Sequence, residues 1–290
     1  MERAKEAGRQ IAAGGSAGLV EVCIMHPLDL MKTRLQLGKS EYSNLRGVFT
    51  STLKNEGIRG FYKGIVPPIF AETPKRATKF FTFEQYKNAF ASDRLPVWTT
   101  LSLAGLASGL TEAVVICPFE VVKVRMQSDK TASKAEQKST GAVAREIIRE
   151  HGLFGKGLYN GFGATLFRHG IWNMFYFGIY HNIKHLAPDE KTNPMGNLLM
   201  RLFLGFFAGT IASVANIPFD VAKSRIQSLP YNDPHQRYRS TWQTLRLVRV
   251  EEGFAALYRG LLPKILRLGP GGGLMLVVYD KVYEFLKIHT

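Results

Sequence analysis

The sequence lacks several features that would assign it to a common class of enzyme. It has two cysteines, Cys23 and Cys117, and both lie in apolar stretches, which argues against a disulfide framework. The complete phosphate-loop motif G-x-x-x-x-G-K-[ST] is absent, as are paired metal ligands. The sequence also has no Cys–His or Ser–His arrangement in which its internal repeats would place a nucleophile beside a general base. We therefore expect no enzymatic activity, no metal and no cofactor.

Long uncharged apolar runs are also missing. The first apolar stretch, residues 10–30, is interrupted by Glu21 and His26. A charge near the middle of a bilayer costs about 2.5–3.5 kcal/mol on insertion scales, unless it faces a water-filled cavity. Two interpretations therefore remain: a bundle of tilted membrane helices with polar inner faces, or a soluble protein with amphipathic helices. The first ten residues are too short and too acidic for a cleaved leader, so we expect any targeting signal to be internal.

Acidic residues are scarce relative to basic ones. The chain has 38 lysines and arginines against 23 acids, a net charge of +15. This excess is typical of proteins that meet nucleic acid, an acidic membrane surface or an anionic ligand. The basic residues are spread through the whole chain rather than clustered in a tail, so we expect no nucleic-acid partner.

Internal repetition is what the sequence has in abundance. One eleven-residue pattern with proline, acid, lysine, arginine and glutamine at fixed offsets occurs as HPLDLMKTRLQ (26–36), CPFEVVKVRMQ (117–127) and IPFDVAKSRIQ (217–227). Each copy follows a G-x-x-x-G element, which lets membrane helices approach closely. Each copy also precedes a second apolar stretch, of which GIWNMFYFGIY (170–180) is the most aromatic. The pattern predicts three helical hairpins, at 1–95, 96–194 and 195–290.

The triplicate P-x-[DE]-x-x-[KR]-x-[KR] motif resembles the mitochondrial carrier family over nearly the whole chain. In each copy the motif is followed by an aromatic-base-glycine element, although Asn160 replaces the base in the second copy. The resemblance implies an all-α membrane protein whose six transmembrane helices form a pseudo-threefold bundle. It further implies a monomer in the mitochondrial inner membrane, surrounded by its lipids, cardiolipin included, that exchanges solutes by alternating access.

Four segments are similar to family members that carry 2-oxodicarboxylates. They are RQIAAGGSAGLVE, FAETPKRATKFFTFEQYK, GTIASVANIPFDVAKSRIQ and LLPKILRLGPGGG. The resemblance thus implies antiport of 2-oxoadipate, 2-oxoglutarate and related dicarboxylates. A family member for another anionic metabolite, such as a nucleotide or an amino acid, is the alternative, because Trp172 and Tyr176 could leave room for a nucleobase.

The resemblance assigns the repeated motif to a gate on the matrix side. Proline removes a helix hydrogen bond, so a kink is expected in the first helix of each repeat, at Pro27, Pro118 and Pro218. The family pattern implies pairs between repeats, namely Asp29–Lys123, Glu120–Lys223 and Asp220–Lys32. The glutamines one turn after each lysine match the family's bracing residues: Gln36, Gln127 and Gln227. Local pairing of each acid with the lysine three residues later is the alternative.

The resemblance also implies a cytoplasmic gate on the second helices, where the family shows aromatic-acid-x-x-base. The first repeat is complete, with Glu84 and Lys87. In the second repeat a histidine replaces the acid and Lys184 supplies the base, whereas in the third Asp280 supplies the acid and a tyrosine replaces the base. The implied pairs are Glu84–Lys184 and Asp280–Lys87, and solvated charge at helix ends is the alternative.

Counting thirteen residues back from these gate positions reaches Ala71, Arg168 and Arg267, at one depth on three helices. An arginine presents a planar fork that matches a carboxylate, so two arginines predict a small dicarboxylate anion as ligand. Other residues expected to contribute to substrate binding are Glu72, Lys75, Arg76, Lys79, His169 and Asn173.

These candidates have structural alternatives. Arg168 could instead pair with Glu21 or Glu112, which lie six residues before their prolines. Glu72 could form a local pair with Arg76, and the neighbouring lysines could attract anions at a distance or anchor in lipid. His169 could titrate with a cotransported proton or could be a packed polar side chain.

Overall fold

The computed structural model describes residues 2–38, 44–91, 95–129, 138–189, 191–230 and 233–289. Within these ranges the side chains of residues 2–8, 10–12, 276, 280, 288 and 289 lie outside the description. The described chain forms nine α-helices: α1 (Glu2–Gln36), α2 (Leu45–Gly60), α3 (Val66–Ala89), α4 (Val97–Ser128), α5 (Thr140–His151), α6 (Phe162–Ile183), α7 (Pro194–Gln227), α8 (Thr241–Glu252) and α9 (Leu261–His289). Short 3₁₀ turns follow α6 at Lys184–Leu186 and precede α9 at Phe254–Tyr258.

Each repeat has a long helix, a short helix and a second long helix. Even the shortest of the six long helices, α6, has 22 residues, and at about 1.5 Å per residue it can cross a hydrocarbon layer roughly 30 Å thick. Three segments are also apolar enough to span a membrane by length and composition, Val97–Ser128, Pro194–Gln227 and Phe254–Lys287.

The distribution of side chains is the reverse of that in a soluble protein. Phe81 and Phe203 on the outer surface are 69% and 60% exposed, whereas Arg34, Glu112 and Arg225 inside are each 1% exposed. Large exposed aromatic side chains need an apolar surrounding, and buried charges need partners or a polar cavity. This arrangement supports the membrane interpretation over a soluble amphipathic bundle.

The six long helices form a closed ring. Helix α4 packs against α3 and α6, α6 packs against α7, α7 against α9, and α9 against α1, while α1 also contacts α3. Three hairpins arranged around one axis therefore enclose a central space. The charged side chains of the repeated motif face that space, which explains why the long helices tolerate them.

The G-x-x-x-G elements do not act alike in the three repeats. A Cβ at Gly109 would lie 2.5 Å from the carbonyl oxygen of His169, and one at Gly105 would lie 2.6 Å from that of Asn173. The prediction of close backbone approach is therefore confirmed for α4 against α6. In the first repeat a Cβ at Gly18 would instead meet side-chain atoms of Glu72 and Arg76, so the helices are farther apart there.

The short helices α2, α5 and α8 start at capping side chains. Asn44 Oδ1 accepts a hydrogen bond from the Gly47 amide at 2.7 Å, Ser139 caps α5, and Ser240 forms a capping box with Gln243. All three helices follow the glutamine end of the motif, so they lie at the same end of the bundle.

A glycine before each second long helix fits against the neighbouring repeat. Gly260 has a φ of +85°, and a Cβ there would lie 3.1 Å from Gln36 Cγ. Gly64 and Gly161 occupy equivalent positions against Gln127 and Gln227, also with positive φ. A side chain would be strained and crowded at these sites, which accounts for glycine in all three copies.

Candidate functional site

Three ion pairs join the first long helices at the motif end of the bundle. The Nζ-to-carboxylate distances are 3.0 Å for Lys123–Asp29, 2.8 Å for Lys32–Asp220 and 3.1 Å for Lys223–Glu120. Every pair connects two different repeats. The predicted pairing between repeats is therefore confirmed, and the local alternative is wrong. The pairs close this end of the central space.

Both arginines of the candidate substrate site also bind carboxylates of these pairs. Arg267 Nη1 of α9 donates to Asp29 Oδ1 at 2.7 Å. Arg168 of α6 binds Glu120, and its Nε lies 3.5 Å from Asp220 Oδ1. The alternative pairing of Arg168 with Glu21 or Glu112 is not formed, because the side chain turns toward the ion pairs. The two arginines thus link the proposed substrate position to the closed end.

A further cation at this end was not identified from the sequence. Lys264 Nζ of α9 donates to Asp220 Oδ2 at 2.7 Å and also binds Asn216. Lys264 lies three residues before Arg267. The equivalent residues of the other two repeats are Pro68 and Thr165, so a basic residue occurs at this position in the third repeat alone. Each of the three carboxylates therefore binds at least two cations, and the cluster has an excess of positive charge.

Two of the three glutamines form hydrogen bonds between repeats, each with a different partner. Gln36 Oε1 accepts a hydrogen bond from the Ser224 hydroxyl at 2.7 Å, and Gln227 Nε2 donates to the Asn160 carbonyl at 3.2 Å. The side-chain amide of Gln127 is buried without a hydrogen-bond partner in the described part of the chain. Contacts between repeats are present, whereas the bracing role stays a prediction.

A cavity of about 130 Å³ lies between the ion pairs and the arginines. Its wall includes Asp29, Glu120, Arg168, Arg267 and Lys75. Excess positive charge beside a low-dielectric cavity attracts anions. Because the arginine forks already bind carboxylates, the site can exchange a carboxylate of the protein for one of a ligand.

The candidate residues on α3 form their own cluster. Arg76 donates to Glu72 Oε1 and to Glu21 Oε2, each at 2.5 Å, and Lys75 Nζ lies 3.7 Å from Glu72 Oε2. The local pairing of Glu72 with Arg76 is confirmed, and Glu21 joins α1 to this cluster. Substrate contact by these three α3 residues stays a prediction.

Lys79 of α3 and the candidate residues of α6 form a second group. The Lys79 ammonium lies 4.5 Å from the ring centroid of Trp172, within cation–π range. Glu112 accepts a hydrogen bond from Asn173 Nδ2 at 2.9 Å, and its Oε1 lies 3.0 Å from His169 Nδ1. His169 and Asn173 therefore hold a buried carboxylate of α4, which favours a packed polar role for His169.

The opposite end of the bundle has a different arrangement. Lys87 Nζ donates to Glu84 Oε2 at 2.5 Å within α3, and their side chains are 36% and 58% exposed. The predicted Glu84–Lys184 pair is therefore wrong for this conformation, in which Glu84 binds its own helix. The Asp280 side chain, and with it the Asp280–Lys87 pair, lies outside the described residues. His181 stacks on Phe83 with ring centroids 6.0 Å apart.

Below the ion pairs, the motif arginines of two repeats bind the short helices. Arg34 Nη1 lies 2.6 Å from Glu56 Oε1, and Arg225 Nη2 donates to Glu252 Oε2 at 3.0 Å. Burial alone would raise the pKa of Glu252, but the hydrogen bonds from Arg225 outweigh it and hold that pKa below its ordinary value. The Glu252 carboxylate is therefore ionised near neutral pH.

Comparison with sequence families gives three matches along the chain. The family described as mitochondrial carrier protein matches residues 3–94, 93–191 and 195–290. Together the matches cover almost every residue, and each covers one copy of the repeated motif.

Individual relatives match over nearly their full lengths. The chain is 54% identical over 288 residues to the mitochondrial 2-oxodicarboxylate carrier of Mus musculus, covering 97% of this chain and 96% of the relative. It is 41% identical over 284 residues to a probable mitochondrial 2-oxodicarboxylate carrier of Schizosaccharomyces pombe, covering 95% and 93%. It is 39% identical over 295 residues to the mitochondrial citrate transporter D of Aspergillus niger, covering 97% and 94%.

Proposed function

The chain belongs to the mitochondrial carrier family, and from that premise we propose that it exchanges 2-oxodicarboxylates across the mitochondrial inner membrane. The substrates would be 2-oxoadipate, 2-oxoglutarate and related dicarboxylates, in keeping with the names of its relatives in mouse and in Schizosaccharomyces pombe. We further propose that it works as a monomer among inner-membrane lipids such as cardiolipin. Its conformation corresponds to a carrier closed toward the matrix.

The observation that carries this proposal is the double engagement of the two arginines. Arg267 binds Asp29, and Arg168 binds Glu120, so each fork holds a carboxylate of the closed end. A substrate with two carboxylates can replace both. Each arginine keeps a charge-assisted partner during the replacement, whereas Asp29 and Glu120 keep only their lysines.

This replacement explains how substrate binding would open the gate. A ligand shifts a conformational equilibrium only through its different affinity for the two states. An anion that takes Arg168 and Arg267 weakens the contacts of the closed end, and the energy of its binding offsets that loss. An empty carrier has no such compensation, so we propose that exchange is obligatory.

The remaining candidate residues receive supporting roles in this proposal. Lys264 would keep Asp220 ionised and in place while its neighbours change partners. Lys75, Arg76 and Lys79 would attract the anion and hold its chain, and Glu72 would position Arg76. His169 and Asn173 would fix Glu112 behind Arg168, and the glutamines and helix kinks would complete the matrix gate.

Nucleotides fit this site less well. Trp172 and Tyr176 stack on each other with centroids 4.7 Å apart, and Lys79 covers the Trp172 ring. Their faces are therefore already engaged, which disfavours a slot for a nucleobase. An amino acid would place its ammonium group against the excess of cations around Arg168 and Arg267.

Transport by purified protein in liposomes tests the proposal. We expect rapid uptake of labelled 2-oxoglutarate into liposomes preloaded with 2-oxoadipate, and slow uptake into empty liposomes or liposomes loaded with ATP or glutamine. Equal uptake into empty and preloaded liposomes would contradict obligatory exchange. Uptake driven by internal ATP but not by internal 2-oxoadipate would show that the counter-substrates are nucleotides rather than 2-oxodicarboxylates.

A further inference from the structure

The motif arginine has a carboxylate partner in the first and third repeats. In the first repeat, Arg34 binds both oxygens of Glu56, with Nη1–Oε1 at 2.6 Å and Nη2–Oε2 at 2.9 Å. In the third, Arg225 binds both oxygens of Glu252. Each bidentate pair ties a long helix to the short helix of its own repeat.

The second repeat lacks the carboxylate at the equivalent position. There the motif arginine is Arg125, and His151 stands where the other repeats have glutamate. The Arg125 Nε atom is buried without a hydrogen-bond partner, and its guanidinium forms no ion pair with the described residues. The His151 side chain is only 8% exposed, and its Nε2 also lacks a hydrogen-bond partner. Buried polar groups without partners are costly, so this arrangement requires an explanation.

A cavity of about 720 Å³ adjoins both unpartnered groups. Several other charges on its wall form ion pairs: Lys138 binds Glu146 at 2.5 Å, Glu56 binds Arg34, and Lys63 lies 3.8 Å from Glu56 Oε2. The Glu150 carboxylate lies 3.8 Å from His151 Nε2, beyond hydrogen-bond distance. The cavity shares no lining residue with the one between the three ion pairs.

We propose that this cavity binds a free carboxylate, supplied by a small organic acid, between Arg125 and His151. The ligand carboxylate takes the place that a glutamate carboxylate holds in the other two repeats. A planar carboxylate matches the fork of Arg125, and His151 Nε2 supplies a further polar contact. Once bound, the acid ties α4 to α5 as Glu56 ties α1 to α2, so it stabilises the closed end. This site is separate from the transport site.

Thermal unfolding of the purified full-length protein in detergent tests this site with propionate, which reproduces the end of a glutamate side chain. Propionate is compared with chloride at equal ionic strength. We expect the wild-type Tm to rise by about 2–5 °C at ten times the Kd. His151→Glu supplies its own carboxylate, so its Tm should already be raised in chloride and should not respond. Arg125→Gln should lose the response.

A matched surface variant controls for general ion effects. Arg237 forms an exposed pair with Glu251 on the same side of the bundle, so Arg237→Gln should keep the full propionate response. Equal responses in the wild type and His151→Glu would place the carboxylate elsewhere and overturn the proposal, as would a wild type that does not respond. If His151→Glu does not fold, the difference between Arg125→Gln and Arg237→Gln decides the question.

Discussion

The two ends of the bundle differ in how their charged residues are paired. At the motif end, three lysine–carboxylate pairs connect all three repeats, and Arg168, Lys264 and Arg267 add a further cation to each carboxylate. At the opposite end, Glu84 binds Lys87 within one helix, and the Glu84 side chain is exposed. The difference indicates that the motif end, which we propose faces the matrix, is stabilised by buried contacts between repeats, whereas closing the other end requires new contacts.

The largest expected effect comes from removing one of the arginines that bind the closed end and that we propose bind the substrate as well. Arg168→Ala or Arg267→Ala should leave a substrate carboxylate unpaired in a partly desolvated site. Breaking such a pair costs about 2–5 kcal/mol, so exchange of 2-oxoglutarate should fall by well over tenfold. Arg168→Lys and Arg267→Lys should recover little exchange, because lysine keeps the charge but lacks the planar fork of N–H donors that matches a carboxylate.

Liposome exchange rates and thermal stability must be measured together for these arginine variants. Normal transport by a folded alanine variant would show that the assigned arginine is not part of the substrate site. A gain in monocarboxylate uptake by either variant would strengthen the two-arginine assignment.

A matched pair of lysine variants compares the two ends directly. Lys123→Ala removes a contact between repeats and should destabilise the matrix-closed state by about 1–3 kcal/mol. Lys87→Ala removes a pair within one helix at an exposed position and should cost less than about 0.5 kcal/mol. Thermal unfolding in detergent without substrate measures both. Similar losses of stability in the two variants would contradict the proposed difference between the two ends of the bundle.

Completing the acid pattern at the open end sharpens the same comparison. His181→Glu restores the acid of the family pattern on α6. By the scheme of the other two pairs it faces Tyr283 of α9 when that end closes, and the tyrosine hydroxyl can donate a hydrogen bond to it. Exposed pairs contribute about 0.2–1 kcal/mol, so the exchange rate should change by no more than about fivefold. His181→Gln is the control. An equal change in both variants would show that ring stacking on Phe83, rather than charge, controls this position.

The smallest effect concerns pH and the short helices. The folded-state pKa of Glu252 is below its ordinary value, so its contribution to stability is present above the unfolded pKa and is lost as pH falls through the folded one. The Tm difference between the wild type and Glu252→Gln should be constant near neutral pH and shrink below about pH 5. A difference that grows on acidification would contradict the ion pair with Arg225.

The ion pairs between repeats were predicted from the family resemblance, because the offsets of acid and lysine in the three copies left local pairing open as well. The same offsets located Arg168 and Arg267, since they depart from threefold symmetry at one depth. The partners of those arginines could not be predicted, because they depend on how far α6 and α9 tilt toward Glu120 and Asp29. Lys264 also departs from threefold symmetry, since its equivalents Pro68 and Thr165 are uncharged, but its bond to Asp220 depends on the same tilt of α9.

Local motifs also left the packing distances open. The three G-x-x-x-G elements look alike in sequence, yet Gly109 lies against the backbone of α6 whereas Gly18 faces side chains of α3. The difference follows from the bulk of Glu72 and Arg76 at the first interface. A motif that permits close packing does not determine whether the facing residues allow it.

The central claim is that a dicarboxylate opens the matrix end by taking the arginines from Glu120 and Asp29. Ser224 reports on that end, since it is 3% exposed and donates a hydrogen bond to Gln36. The most direct measurement is maleimide labelling of Ser224→Cys in a background with Cys23 and Cys117 replaced by serine. Saturating 2-oxoglutarate should increase the labelling rate, and adding Arg168→Ala should abolish that increase. An unchanged rate with 2-oxoglutarate, or an equal increase in the Arg168→Ala variant, would contradict the claim.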